Sequence, residues 1–139
     1  MSLIDKLLQA DASKLTEKPS RTVNIERLSK ILKTKFDIKL QALDPERYAD
    51  IQRNAVDITK KGDIKGINLF DMQVLTLVDG IVEPSMKSKE LQEHFKAISP
   101  KDLINKLFLS GEIAELYKQI NELSGYDTDT EDTDEEIKN

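Results

Sequence analysis

His94 is the only histidine of the chain, and the carboxylates nearest to it in sequence are Glu90 and Glu93. A histidine acts as a general base only when folding brings a carboxylate and a nucleophile beside it. Nothing in the spacing places one there, so His94 reads as an ordinary helix residue. A second group with chemical potential is Asp127, Asp129 and Glu131, whose alternate positions match the start of a calcium loop. In that register the sixth position is Asp132 where the turn needs glycine, and the twelfth is Lys138 where the bidentate glutamate belongs. Lys30, Lys33, Lys35 and Lys39 cluster in sequence and read as a solvated face. Walker, dinucleotide-binding, zincin and nucleophile-elbow motifs are missing, and the five glycines are too scattered to cradle a phosphate. The absence of cysteine excludes a disulfide framework, a thiolate metal site and a cysteine nucleophile. The expectation is a protein with no catalytic, cofactor or metal site, and not an enzyme.

The totals say what such a chain is instead. At 139 residues one domain is expected, with a core kept small by a charged fraction of 34% against 38% hydrophobic residues. The net charge of −5 is unevenly spread. Residues 126–139 hold seven acids (Asp127, Asp129, Glu131, Asp132, Asp134, Glu135, Glu136) and one base, Lys138. Removing these from the totals of 26 acids and 21 bases leaves 19 against 20 in residues 1–125. A balanced body lacks the basic face that nucleic acid requires, and an acidic tail of this composition is expected to be disordered. The first residues lack a basic stretch followed by a long apolar one, and no apolar run approaches the roughly 18 residues of a membrane span. A soluble, cytoplasmic protein is expected, with neither nucleic acid nor membrane as a partner.

The elements that would carry any binding surface follow from periodicity. Leu3, Ile4, Leu7 and Leu8, with Ser2 as cap, predict a short amphipathic helix within residues 2–15, and residues 16–21, with Pro19, read as a connector. Val23 and Ile25 alternate with polar neighbours, as do Phe36, Ile38 and Leu40, which predicts an antiparallel pair within residues 22–43 joined by a turn of helix. Three later stretches carry start signals for helices. Asp44-Pro45 offers a cap with proline at the first position, Asn68 a cap before Leu69, and Ser99-Pro100 another such pair. Apolar stripes follow each: Tyr48, Ile51, Ala55 and Ile58; then Phe70, Val74, Leu77 and Val78; then Leu103, Ile104 and the run Leu107-Phe108-Leu109. The second of these is crowded enough to be the most buried helix, closed by Gly80. Ile81 to Pro84 reads as a stop or a short extended piece, and Ser88 to Ala97 as a short helix with Leu91 and Phe95 inward. The fold class is mainly α with a small N-terminal antiparallel β element (α+β), five to six amphipathic helices in one compact domain. Residues 1–21 form a short helix and connector, 22–125 a single helical domain, and 126–139 an acidic disordered tail.

The last helix is the best marked. Ser110 fits its N-cap, and Glu112 and Glu115 lie near the positive end of its dipole. Ile113, Leu116, Tyr117, Ile120 and Leu123 form one stripe, Gly125 fits a left-handed stop, and Tyr126 is placed to fold back on Ile120. Whether this stripe is core or interface is open in the sequence. Read as an interface, its partner-binding residues are Ile113, Leu116, Tyr117, Ile120, Leu123 and Tyr126, with Ile113, Tyr117 and Ile120 partly exposed.

The same region resembles a known family. Leu103-Ile104-Asn105-Lys106-Leu107-Phe108-Leu109-Ser110-Gly111-Glu112-Ile113-Ala114-Glu115-Leu116, followed by Ile120-Asn121-Glu122-Leu123-Ser124-Gly125-Tyr126, is similar to the XkdN-like tail assembly chaperones of contractile-tailed phages and prophages. Ser110 stands where that family tends to carry proline, and Tyr126 where it carries phenylalanine. Phe36 to Leu43 and Ile81 to Pro84 fit the family's earlier part. The resemblance implies a non-catalytic chaperone in the bacterial host's cytoplasm, absent from the finished virion. It implies the tape measure protein as client, with tail tube subunits and a second copy of the chain as further candidate partners. It also implies that many relatives exist in a second, longer form made by ribosomal frameshifting. A small structural or adaptor subunit of a tail or baseplate is the alternative, and a helical regulatory module a more distant one.

Overall fold

The computed structural model describes residues 2–58 and 64–126. In chain order the elements are α1 (Leu3–Gln9), α2 (Ala12–Thr16), β1 (Ser20–Asn24), α3 (Glu26–Leu32), β2 (Asp37–Gln41), α4 (Pro45–Asn54), β3 (Val56–Ile58), β4 (Ile64–Ile67), α5 (Leu69–Gly80), β5 (Ile81–Glu83), α6 (Lys89–His94), α7 (Pro100–Leu107) and α8 (Ser110–Leu123). The α+β reading holds, with eight helices among the described residues against the five or six expected. The excess comes from short pieces. The first helix is two, α1 and α2, broken at Ala10, and the turn of helix between the strands is the two-turn α3. The acidic tail and its calcium-loop register, beyond Tyr126, lie outside the described residues.

Alternation predicted the strand pair, and the pairing follows it. β1 and β2 run antiparallel with Val23 opposite Ile38 and Arg21 opposite Leu40, so these four side chains share the inner face. β5 adds a third strand on the other side of β2, giving the order β1-β2-β5, with the register shifting between Lys39 and Leu40. The central strand supplies two fully buried residues, Ile38 and Leu40. Helices α5, α7 and α8 close over that face, and their inward residues Val74, Leu77, Leu103, Ile104, Ile113, Leu116 and Ile120 join the strands in one core. α5 is the most buried helix, as its apolar crowding predicts. Its last residue, Gly80, sits where an added Cβ would lie 2.9 Å from Cγ1 and Cγ2 of Ile120 and closer still to its Cδ1. Glycine there lets the end of α5 touch α8 directly.

Several local expectations are corrected. Asp44 occupies the N-cap of α4, but its carboxylate forms an ion pair with Lys18 at 3.0 Å instead of accepting from the helix. Asn68 and Ser99 cap as expected, accepting from the amides of Asp71 and Asp102. The helix after Asp44 ends at Asn54, and Ile58 belongs to β3, which pairs with β4 in a separate hairpin that periodicity did not reveal. Phe70, Phe95 and Leu109, read as inward, are each about half exposed. In α6 Leu91 packs against the core as expected, and Gln92 is buried beside it, its Nε2 donating to the Met86 carbonyl at 2.9 Å.

Candidate functional site

The junction between α7 and α8 is fixed by charge. Leu109, not Ser110, is the N-cap of α8, and its amide donates to Glu112 Oε1 at 2.8 Å. Glu112 also accepts from Arg27 of α3, through Nε at 3.1 Å and Nη2 at 2.9 Å, while that Nη2 donates to the Leu107 carbonyl at 2.8 Å. Such a fork holds a carboxylate in both position and charge. The Arg27 hydrogen bonds, helped by the Leu109 amide and opposed by partial burial, keep the Glu112 carboxyl below its ordinary value. Beside this bridge an open groove of about 420 Å³ runs between the end of β1 and α8, lined by Val23, Ile25, Glu115, Leu116 and Gln119 among others.

From this start α8 runs with its stripe turned into the core. Ile113, Leu116 and Ile120 are 2% exposed or less, which corrects the expectation that Ile113 and Ile120 are partly exposed. The physical reason is that α8 lies across the sheet and beside α5, so its apolar face covers the core that the sheet and α5 form. Tyr117 and Leu123 are half-buried at its edge, and the Tyr117 hydroxyl donates to Met72 Sδ at 3.3 Å.

The end of α8 is the expected left-handed stop. Gly125 has φ +96°, its amide reaches the Glu122 carbonyl, and the Tyr126 amide reaches the Asn121 carbonyl. Tyr126 does not return to Ile120, however. Its ring stacks on Tyr48 of α4, centroids 4.9 Å apart and planes 22° from parallel. Tyr126 stays 52% exposed and forms one wall of a cleft of about 270 Å³ with Leu43, Pro45, Tyr48, Gln52 and Ser124. Burial raises the Tyr48 hydroxyl well above the ordinary phenol value, with the neighbouring Tyr117 and Tyr126 and a hydrogen bond to Tyr117 adding to it. Three tyrosines thus meet where α4, α5 and α8 converge, and the six residues of the candidate interface divide into three core residues and three that keep solvent-facing surface.

The remaining candidates are dispersed. His94 ends α6, exposed, its ring edge-on to Phe95. Lys30 pairs with Glu26 at 3.6 Å, and Lys33, Lys35 and Lys39 are exposed. Among the described residues no group of three or more His, Cys, Asp or Glu is placed to hold a metal ion, and no helix is long and apolar enough to cross a membrane.

Another set of exposed apolar side chains lies at the start of the chain. Leu3, Ile4, Leu7 and Leu8 of α1 are 64–78% exposed, and Leu15 of α2 is 57% exposed. Periodicity marks this face as amphipathic, but no sequence signal says that it meets no body of its own. Arg27 was likewise missed, because its partner Glu112 lies 85 positions away and no local pattern links them.

Comparison with known proteins agrees with this architecture. The protein XkdN of the phage-like element PBSX of Bacillus subtilis (strain 168) is 23% identical over 133 residues, covering 87% of this chain and 90% of that protein. The protein YqbN of the same strain is 25% identical over 133 residues, covering 87% of this chain and 89% of its own length. The crystal structure of YqbN has the same fold, with a TM-score of 0.58 at 18% identity over 85% of this chain and 98% of the other. The family described as the phage XkdN-like tail assembly chaperone protein matches residues 4–138. The chain belongs to the XkdN-like phage tail assembly chaperone family.

Proposed function

We propose that this chain is a non-catalytic chaperone that binds the tape measure protein in the host cytoplasm while the tail tube assembles, and leaves before the virion is complete. The observation that carries the reading is the family match over residues 4–138, nearly the whole chain. The described surface supports it, because large apolar side chains on α1, α2, α3 and α5 face solvent while the core is already closed without them. Exposed apolar faces of this size are what a binder of hydrophobic helices presents. Tail tube subunits and a second copy remain further partners of the proposal, and neither cofactor, nucleic acid nor membrane has a part in it. Of the last helix, Tyr117, Leu123 and Tyr126 are the residues that can touch a partner, while Ile113, Leu116 and Ile120 hold the helix in place.

Co-expression with the tape measure protein tests the proposal. The chain is expected to raise the soluble fraction of that client and to co-purify with it, and mass spectrometry of finished tails is expected to find none of it. Persistence in purified tails at fixed stoichiometry would establish the structural-subunit alternative instead.

A further inference from the structure

We propose that residues 2–16 are the client-gripping arm of this chaperone, and that the apolar face of α1 and α2 binds an amphipathic α-helix of the tape measure protein. The proposal rests on the tape-measure reading above and deepens it by assigning the surface.

Every residue from Ser2 to Glu17 is exposed, so the arm lends nothing to the core. It is nonetheless built as helix. Ser2 and Asp5 form a reciprocal capping box at 3.1 and 3.3 Å, and Asp11 caps α2 by accepting from the Ser13 amide at 3.0 Å. A seven-residue helix has little stability of its own in water. Leu3, Ile4, Leu7 and Leu8 on one side therefore call for a covering surface. The base of the arm is tethered, with Lys18 paired to Asp44 and the Pro19 carbonyl accepting from the Ala42 amide at 2.9 Å. The family match begins at residue 4, inside α1, so the arm lies within the length the family shares.

The occupant follows from area and charge. Full burial of Leu3, Ile4, Leu7, Leu8 and Leu15 removes on the order of 500 Å² from water, short of the roughly 800 Å² per partner of a stable pairwise interface. Arm-to-arm pairing of two copies is too small to hold a dimer. The same area suits a weak, displaceable grip on one client helix. α1 carries one acid and one base, Asp5 and Lys6, so it lacks the basic face that an anionic lipid surface selects. A face with helical period and neutral charge matches the apolar stripe of another helix.

The test is quantitative co-purification of the tape measure protein with the full chain and two variants. The doubly substituted Leu7→Asp/Leu8→Asp chain is expected to retain less than a tenth of the bound client, with an unchanged melting temperature and an unchanged mass by light scattering. Ile98→Asp, at an apolar position 92% exposed on another surface, is expected to bind as the unsubstituted chain does. Equal binding by the double variant overturns the assignment, and so does equal loss in Ile98→Asp or a lowered melting temperature. A dimer that the double variant converts to monomer gives the arm to a second copy instead. If the unsubstituted chain captures no tape measure protein, the client itself is wrong, and that outcome is distinct from all of these.

Discussion

The Arg27 guanidinium grips both carboxylate oxygens of Glu112, at 2.9 and 3.1 Å, and so ties the start of α3 to the first turn of α8. The same guanidinium takes the Leu107 carbonyl, which the end of α7 leaves without a helical partner. Replacing Arg27 by Ala removes the cation from a partly buried carboxylate, which keeps the Leu109 amide, and takes the donor from the Leu107 carbonyl. Thermal unfolding of Arg27→Ala is expected to fall by several degrees, and Arg27→Lys to recover only part of the loss, since a point charge cannot make the fork.

The pair also sets an acid response. Because the folded Glu112 carboxyl is held below the ordinary carboxyl value of 4.5, the stability it contributes is present above that value. It is lost as pH falls through the lower, folded value. Denaturation midpoints between pH 6 and pH 3 are expected to drop more steeply for the natural chain than for Glu112→Gln. Parallel slopes would remove Glu112 from the acid response.

At the other end of the scale, Tyr48 is raised above the ordinary phenol value of 10.0. Its neutral form is the one the fold favours, so its contribution is present below about pH 10 and is lost as pH rises from there. Ultraviolet titration of the three tyrosines should show one ionising late, together with alkaline unfolding, and Tyr48→Phe should abolish that late step. Tyr126→Ala, which removes the stacked ring, is expected to cost about 0.5–1.5 kcal/mol.

Gly80 and Ile120 test the packing of α5 on α8. A methyl group at position 80 collides with a side chain that is fully buried and cannot swing away. Gly80→Ala is expected to cost about 1–3 kcal/mol by overpacking. Ile120→Ala alone is expected to cost about 2–5 kcal/mol, and the double variant less than the sum, because the collision is gone. Strict additivity in urea denaturation would show that the two helices do not meet there. It also follows that Ile113→Asp or Ile120→Asp reports on folding, not on client contact.

How much of this was legible beforehand depended on range. The antiparallel pair, the caps at Asn68 and Ser99, the burial of α5 and the glycine stop at Gly125 are all local signals, set within a few residues by propensity and period. Ser110 failed as a cap because Glu112 reaches back to the Leu109 amide, which depends on a carboxylate that Arg27 also orients. The hairpin of β3 and β4 was missed because Ile58 also continued the helical stripe of Tyr48, Ile51 and Ala55, and pairing across five intervening residues leaves no period. The candidate stripe on α8 was found, but its facing was not. An amphipathic stripe looks the same whether it covers a core or awaits a partner, and only the fold puts Ile113, Leu116 and Ile120 inside and Leu3, Ile4, Leu7 and Leu8 outside.

That division between a closed last helix and an open arm is measured most directly by amide hydrogen exchange, on the chain alone and with tape measure protein added. Alone, α8 amides are expected to exchange near the global unfolding rate and those of α1 almost freely. Saturating client is expected to slow α1 by at least tenfold, and to slow α8 by no more than the overall stabilisation that binding confers. Strong protection of α1 without client, or no change in α1 on binding while α8 becomes protected, would contradict the account.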